Sequence, residues 1–134
     1  MNEKLDRLRE IFQGDCFAMK IGCKIDDVQP GYARCSLDIT QDHLNSMGNV
    51  MGGVSFTLAD FTAAVAANQN QLGLVALDAS ITFLGRAKGS RLIAEAHRLK
   101  DGRVTDYYRV NVKDDLDNLV AAVQVTVFDT TAVK

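Results

Sequence analysis

Several markers that would point to a function class are missing from this chain. There are three cysteines, Cys16, Cys23 and Cys35, and no C-x-x-C pair. A disulfide framework or zinc site is therefore not expected, and the thiols fit a reducing compartment as small core residues. Only two histidines occur, His43 and His97, and neither has a second ligand at helical or hairpin spacing. That excludes a metal centre built on histidine and predicts surface or loop positions for both. The net charge of −2 offers no electrostatic footprint for nucleic acid or an anionic membrane. No apolar run approaches membrane-spanning length. The opening residues, Met1-Asn-Glu-Lys-Leu-Asp-Arg-Leu-Arg, lack the apolar core of a signal peptide, so a cytoplasmic location is expected. The single proline, Pro30, sits in a turn, and there are no repeats or low-complexity tracts.

One absence is local. Between His43 and Leu77 the only Asp, Glu, Lys or Arg is Asp60, although 24% of the chain is charged. Ionising a carboxylate there is costly unless something compensates, and this marks Asp60 as the first place to look for chemistry.

At 134 residues, 47% of them apolar, the chain is long enough for one cored domain, expected to span 1–134. Leu5, Leu8, Ile11 and Phe12 recur at helical spacing and predict a short N-terminal helix over 2–13. Residues 19–28 have a strand pattern, Pro30-Gly31 a turn, and Tyr32–Ile39 a second strand, together a hairpin. Residues 40–51 are polar and glycine-containing, a loop. Residues 52–68 form a helix with almost no polar face. Four strand segments follow, 74–84, 90–100, 104–114 and 118–128, divided by turn signals. In the last of them Leu119, Ala121, Val123, Val125 and Val127 share a face. Such short connections require antiparallel pairing. The expected fold is α+β: a six-stranded antiparallel sheet wrapped around one long central helix. Apolar helix surface in excess of what one sheet covers implies a homo-oligomer.

Gly52-Gly53 open that helix. The first N–H groups of a helix lack internal partners and carry partial positive charge, and two glycines leave no side chain in a ligand's way. This suits a carbonyl oxygen that gains negative charge. Asp60 stands eight residues later, about 12 Å along the axis. One carbonyl carbon cannot reach both from the same helix, so a joint site requires Asp60 from a partner subunit.

The segment His43-Leu-Asn45-Ser-Met-Gly48-Asn-Val-Met51-Gly52-Gly53, followed by Leu58-Ala-Asp60, resembles the signature of hotdog-fold acyl-CoA thioesterases, in the phenylacetic-acid-degradation thioesterase-like branch. The likeness extends over the hairpin, signature loop, central helix and Asp78–Leu84. It implies Asp60 as general base or nucleophile, Gly52 as N–H donor to the thioester oxygen with Gly53 beside it, and Asn45 as the polar residue orienting water or thioester. It also implies an acyl-CoA substrate, no cofactor, and a dimer or dimer of dimers with the site at the interface. Two positions depart from the pattern: Met51 stands where the family usually has His, and Ala76 falls near a usual Ser or Thr. Ser80 replaces that hydroxyl only if no bulge intervenes. Met47 and Met51 read as apolar lining, Met51 is expected to line the acyl pocket, and His43 is a further candidate contact. Arg86 and Lys88, in a basic rim, are candidates for the coenzyme A phosphates.

Thioester hydrolysis needs a polarised carbonyl and a positioned nucleophile, and a thiolate leaves without an acid. The lack of a Ser-His-Asp or Cys-His arrangement is compatible with this. Met51 and Ala76 motivate an alternative, a non-catalytic acyl-CoA-binding module. A hotdog dehydratase is disfavoured, because no His lies at the helix start.

Overall fold

A computed structural model describes residues 2–132, so Met1, Val133 and Lys134 of the expected 1–134 domain lie outside the described residues. Helix α1 (Glu3–Phe12) begins where the Asn2 side chain accepts the Leu5 N–H at 3.0 Å. Leu8 and Phe12, one turn apart, are its buried residues. Arg7 donates to the Gln69 carbonyl and Arg9 to that of Ile25, fixing the helix on the body of the fold.

Helix α2 (Cys16–Ile21) corrects the strand expected from residue 19. Met19-Lys20-Ile21 alternates like a strand, but Ala18 is buried and Gly22 stops the helix in the left-handed region at φ 95°. Strand β1 (Lys24–Gln29) starts only afterwards, and pairs with β2 (Tyr32–Asp38). Cys23 and Cys35 are core residues as expected, whereas Cys16 is exposed on α2.

The long helix, α3 (Gly52–Ala67), is buried along most of its length. Its hydroxyl residues do not break it, because Thr57 and Thr62 donate back to the Gly53 and Leu58 carbonyls. Beyond it lie β3 (Leu74–Phe83), β4 (Arg91–Asp101), β5 (Thr105–Asp114) and β6 (Leu119–Asp129). All six strands form one antiparallel sheet in the order β1-β2-β4-β5-β6-β3. It is the hotdog fold, a sheet curled around a central helix.

The sheet buries alternate residues against α3: Ala33, Cys35 and Leu37 on β2, Leu92, Ala94 and Ala96 on β4, Val110 and Val112 on β5. Each fully buried Val or Leu contributes about 1.5–3 kcal/mol. On β6 the row Ala121, Val123, Val125 and Val127 is buried as expected, but Leu119 leaves it. Lys113 pairs with Leu119 and Val112 with Ala121, so Val120 is an extra residue and the alternation restarts after it.

Because β3 lies at one edge and β4 three places away, residues 84–90 must cross the ends of β6 and β5. Leu84 and Gly85 still donate to the Val120 carbonyl of β6, but further on the N–H groups of Lys88, Gly89 and Ser90 need other acceptors, and residues at the β5–β6 turn supply them. The buried Asp114 carboxylate accepts from the N–H groups of Lys88, Gly89, Leu116 and Asn118 and from the Asn118 amide. Asp115 accepts from Ser90 and Arg91. Burial alone would raise the Asp114 pKa, but the hydrogen bonds from Asn118, Lys88 and Gly89 together hold it well below the usual carboxylate range.

Candidate active site

The approach to α3 is fixed by His43, which closes a 3-10 turn at Gln41–His43. Its Nδ1 accepts the Thr40 N–H at 3.0 Å, so the proton sits on Nε2, which donates to the Ile21 carbonyl at 2.7 Å. Its own carbonyl accepts the Met51 N–H at 2.9 Å. The expected surface position is therefore corrected: His43 lies in the expected loop but is buried, with both ring nitrogens taken up by backbone, and it holds the approach to α3. Asn45 is exposed, and its Oδ1 accepts the N–H groups of Met47 and Asn49. This ties the tight turn that passes through Gly48 at φ 80°, and among the described residues the amide nitrogen of Asn45 has no acceptor.

Met51, extended and about half exposed, precedes the first helical residue. Within the described residues the N–H groups of Gly52 and Gly53 have no acceptor, since the first one taken up is that of Val54. Gly53 is open to solvent. Gly52 instead lies under the Phe83 ring at the end of β3, where a Cβ would stand 2.7 Å from two ring carbons. Any side chain there requires the exposed Phe83 ring to shift.

Asp60, two turns up the helix, receives neither hydrogen bond nor counter-charge from the described residues. Burial, and then the charge of Asp15, push its pKa above the ordinary value, and burial raises that of Asp15 as well. Both carboxylates line a groove of about 340 Å³ that runs to Leu74, Val75 and Ala76 of β3. They also line a recess of about 260 Å³ next to α2. Position 76 thus faces the Asp60 groove, and it carries no hydroxyl. Ser80 does not substitute for it. Leu77 is bulged between the pairs Ala76–Val127 and Asp78–Thr126, so Ser80 comes opposite the exposed Gln124 on the outer face.

Gly52, Gly53, Met51 and Asn45 thus cluster at one end of α3, with Asp60 away along the axis. Arg86 and Lys88 are exposed on the crossover that leaves β3 just after Phe83. Asp15 and Phe17 were not legible as site residues. They belong to a different helix and share no spacing with the signature loop; only the packing of α2 beside α3 places them at Asp60.

An unpaired carboxylate, free helix N-terminal donors and the hotdog fold together define a class, the hotdog thioester hydrolases. Residues 47–121 match the family model of the thioesterase superfamily. The chain belongs to that family, in its branch resembling the phenylacetic-acid-degradation thioesterases, and is a thioester hydrolase. The chain is 30% identical to the acyl-coenzyme A thioesterase PaaI of Escherichia coli K12 over 112 residues, 83% of this chain and 80% of that one. The solved structure of the E. coli PaaI protein from the phenylacetic acid degradation operon superposes with a TM-score of 0.87 at 25% identity, covering 94% of this chain and 92% of that one. A mutant of the phenylacetic acid degradation protein PaaI from Thermus thermophilus superposes at 0.79 with 32% identity, over 85% and 98% of the two chains.

Proposed function

We propose that this chain hydrolyses the thioester of an aryl- or medium-chain acyl-CoA, at a site that two copies build together. The observation that carries the reading is the separation of the two halves. The free N–H groups of Gly52 and Gly53 and the unpaired Asp60 share one helix yet stand about 12 Å apart. A second copy brings a Gly52 to each Asp60.

Strand β3 supports the arrangement. It is an edge strand without Lys or Pro, and Val75, Leu77 and Phe83 are 49%, 63% and 58% exposed. Isolated chains protect such edges, so a largely apolar one, with Asp78 as its single charge, calls for a partner strand. Antiparallel pairing of two β3 strands about Ala79 sets Phe83 of one copy opposite Val75 of the other. The Gly52 beneath that Phe83 then arrives at the groove of Asp60.

In this reading the thioester oxygen accepts from the Gly52 N–H, and Asn45 of the same copy orients water or thioester with its amide. Asp60 takes a proton from water as it attacks the carbonyl carbon. The tetrahedral oxyanion collapses, the C–S bond breaks, and the thiolate leaves and takes up a proton. Direct attack by the Asp60 carboxylate, through an anhydride that water opens, balances equally. Arg86 and Lys88 reach for the phosphates of coenzyme A from a crossover that Asp114 and Asp115 brace. With Met51 and Ala76 in place, neither an imidazole nor a hydroxyl assists, and the carboxylate and the helix N-terminus carry the chemistry.

Complementation between two inactive variants tests the shared site. Asp60→Asn removes the base. Gly52→Pro removes the N–H donor at the first helical position, where proline is tolerated, and Met51 already has the extended geometry that a following proline requires. The exposed Phe83 ring must swing aside. Each variant alone should be inactive. Randomly re-associated mixtures should regain roughly a quarter of the wild-type rate, since half the dimers are mixed and each has one intact site. Mixtures as inactive as their components would sink the interface site.

The pH profile gives a second test. The Asp15 charge favours the protonated form of Asp60, and a base works only when ionised. Asp15→Asn is therefore expected to move the acidic limb of kcat/KM to lower pH, with the plateau retained. An unmoved limb would mean that Asp15 does not act on the base.

A further inference from the structure

We propose that Phe17 is the specificity-determining residue of the site, forming the wall of the recess that receives the acyl group. The inference rests on the reading of Asp60 as the reacting carboxylate and names what lies on its far side.

Asp60 and Asp15 line two depressions at once. The larger opens toward Val75 and Ala76, the side from which a second copy's Gly52 arrives with the oxyanion donor. The thioester carbonyl must then lie at Asp60 with its coenzyme arm on that side. The acyl chain, on the opposite side of the carbonyl carbon, enters the recess next to α2. Phe17, Ala18, Thr57 and Phe61 enclose this recess, so apart from the carboxylates its walls are largely apolar. At about 260 Å³ it has room for one aromatic ring, since a closed apolar cavity of roughly 150 Å³ holds benzene.

The local fold accounts for the position of Phe17. Ala18 is buried and anchors α2, and Gly22 ends the helix within two turns. The residue before the anchor is thereby turned outward. It is a phenylalanine at 68% exposure, an apolar ring left in water beside an unpaired carboxylate. Phe61, which also lines the recess, is locked edge-to-face against Phe12, with ring centroids 5.6 Å apart. One fixed ring and one free ring thus line the same recess, a lining that suits an aromatic or branched acyl group.

The test measures binding to the Asp60→Asn protein by calorimetry, with coenzyme A, acetyl-CoA, hexanoyl-CoA and phenylacetyl-CoA as probes. Adding Phe17→Ala should weaken phenylacetyl-CoA about tenfold and leave coenzyme A and acetyl-CoA within about twofold, with Phe17→Leu intermediate. Because Phe17 supports no core packing, both variants should keep the wild-type Tm. Equal weakening of all four probes, or none, would overturn the assignment. Hydrolysis by the wild type is assayed in parallel and decides a separate question. Absent hydrolysis with the acyl-dependent loss intact would remove the reaction and keep the acyl wall. Hydrolysis present with no acyl-dependent loss would do the reverse.

Discussion

Asp60→Asn is expected to lower kcat for acyl-CoA hydrolysis by at least about 10³-fold, since it removes the group that generates or supplies the attacking oxygen. No histidine, cysteine or hydroxyl lines the groove of about 340 Å³ beside it, and in the recess next to α2 the Thr57 hydroxyl and Cys16 thiol donate to the Gly53 and Gly14 carbonyls. The same substitution should stabilise the protein. Asp60 has its pKa raised in the fold, mainly by burial, so its ionised form costs stability. That cost is fully present above the folded pKa and vanishes as pH falls below the unfolded one. The variant should therefore melt above the wild type at neutral pH, with the gap closing as the solution is acidified. Circular dichroism melts at pH 7 and pH 3.5, beside a thiol-release assay, read both effects. A variant that is inactive and also less stable at pH 7 would point to a structural role for Asp60.

The second large effect falls on stability alone. Asp114→Ala strips the acceptor from five donors at once, around a carboxylate that is itself buried. With unsatisfied buried donors costing about 1–3 kcal/mol each and some relaxation, a loss of roughly 3–5 kcal/mol is expected, or about 10 °C or more in Tm. The folded pKa of Asp114 is depressed, so its contribution is complete above the unfolded pKa and is lost as pH falls toward the folded one. The difference between wild type and variant should accordingly shrink in acid. A loss under about 1 kcal/mol would show that the crossover between β3 and β4 finds other acceptors.

The two aspartates differ in how they could be recognised. Asp60 was visible at once, because a lone charge in an apolar helix stands out in any linear reading. Asp114 was not, because Lys113-Asp114-Asp115 looks like an ordinary polar turn. Its importance follows from the strand order, which forces residues 84–90 across the sheet's end and leaves the N–H groups of Lys88 and Gly89 without a ladder. Gly89 belongs to the same arrangement, since a Cβ there would overlap the Asp115 carboxylate.

Elsewhere local pattern succeeded or failed for physical reasons. The central helix and the four long strands were legible, because burial of one face imposes a period on the sequence. Helix α2 was missed, because over six residues an alternating pattern and a helical one cannot be told apart. The bulges at Leu77 and Val120 were invisible, since an inserted residue changes facing without changing composition. They moved Ser80 and Leu119 off the faces that a regular count assigns.

By itself the sequence determined the fold class, the isolation of Asp60 and the glycine start of α3. Each depends on composition or on distance along one helix, and a chain of letters carries both. The tertiary structure alone decided that His43 is spent on the backbone, that β3 is a bare edge, and that Asp15 and Phe17 flank Asp60. Those facts depend on which segments meet after the sheet has curled, and contacts between residues far apart in the chain leave no periodic trace in it.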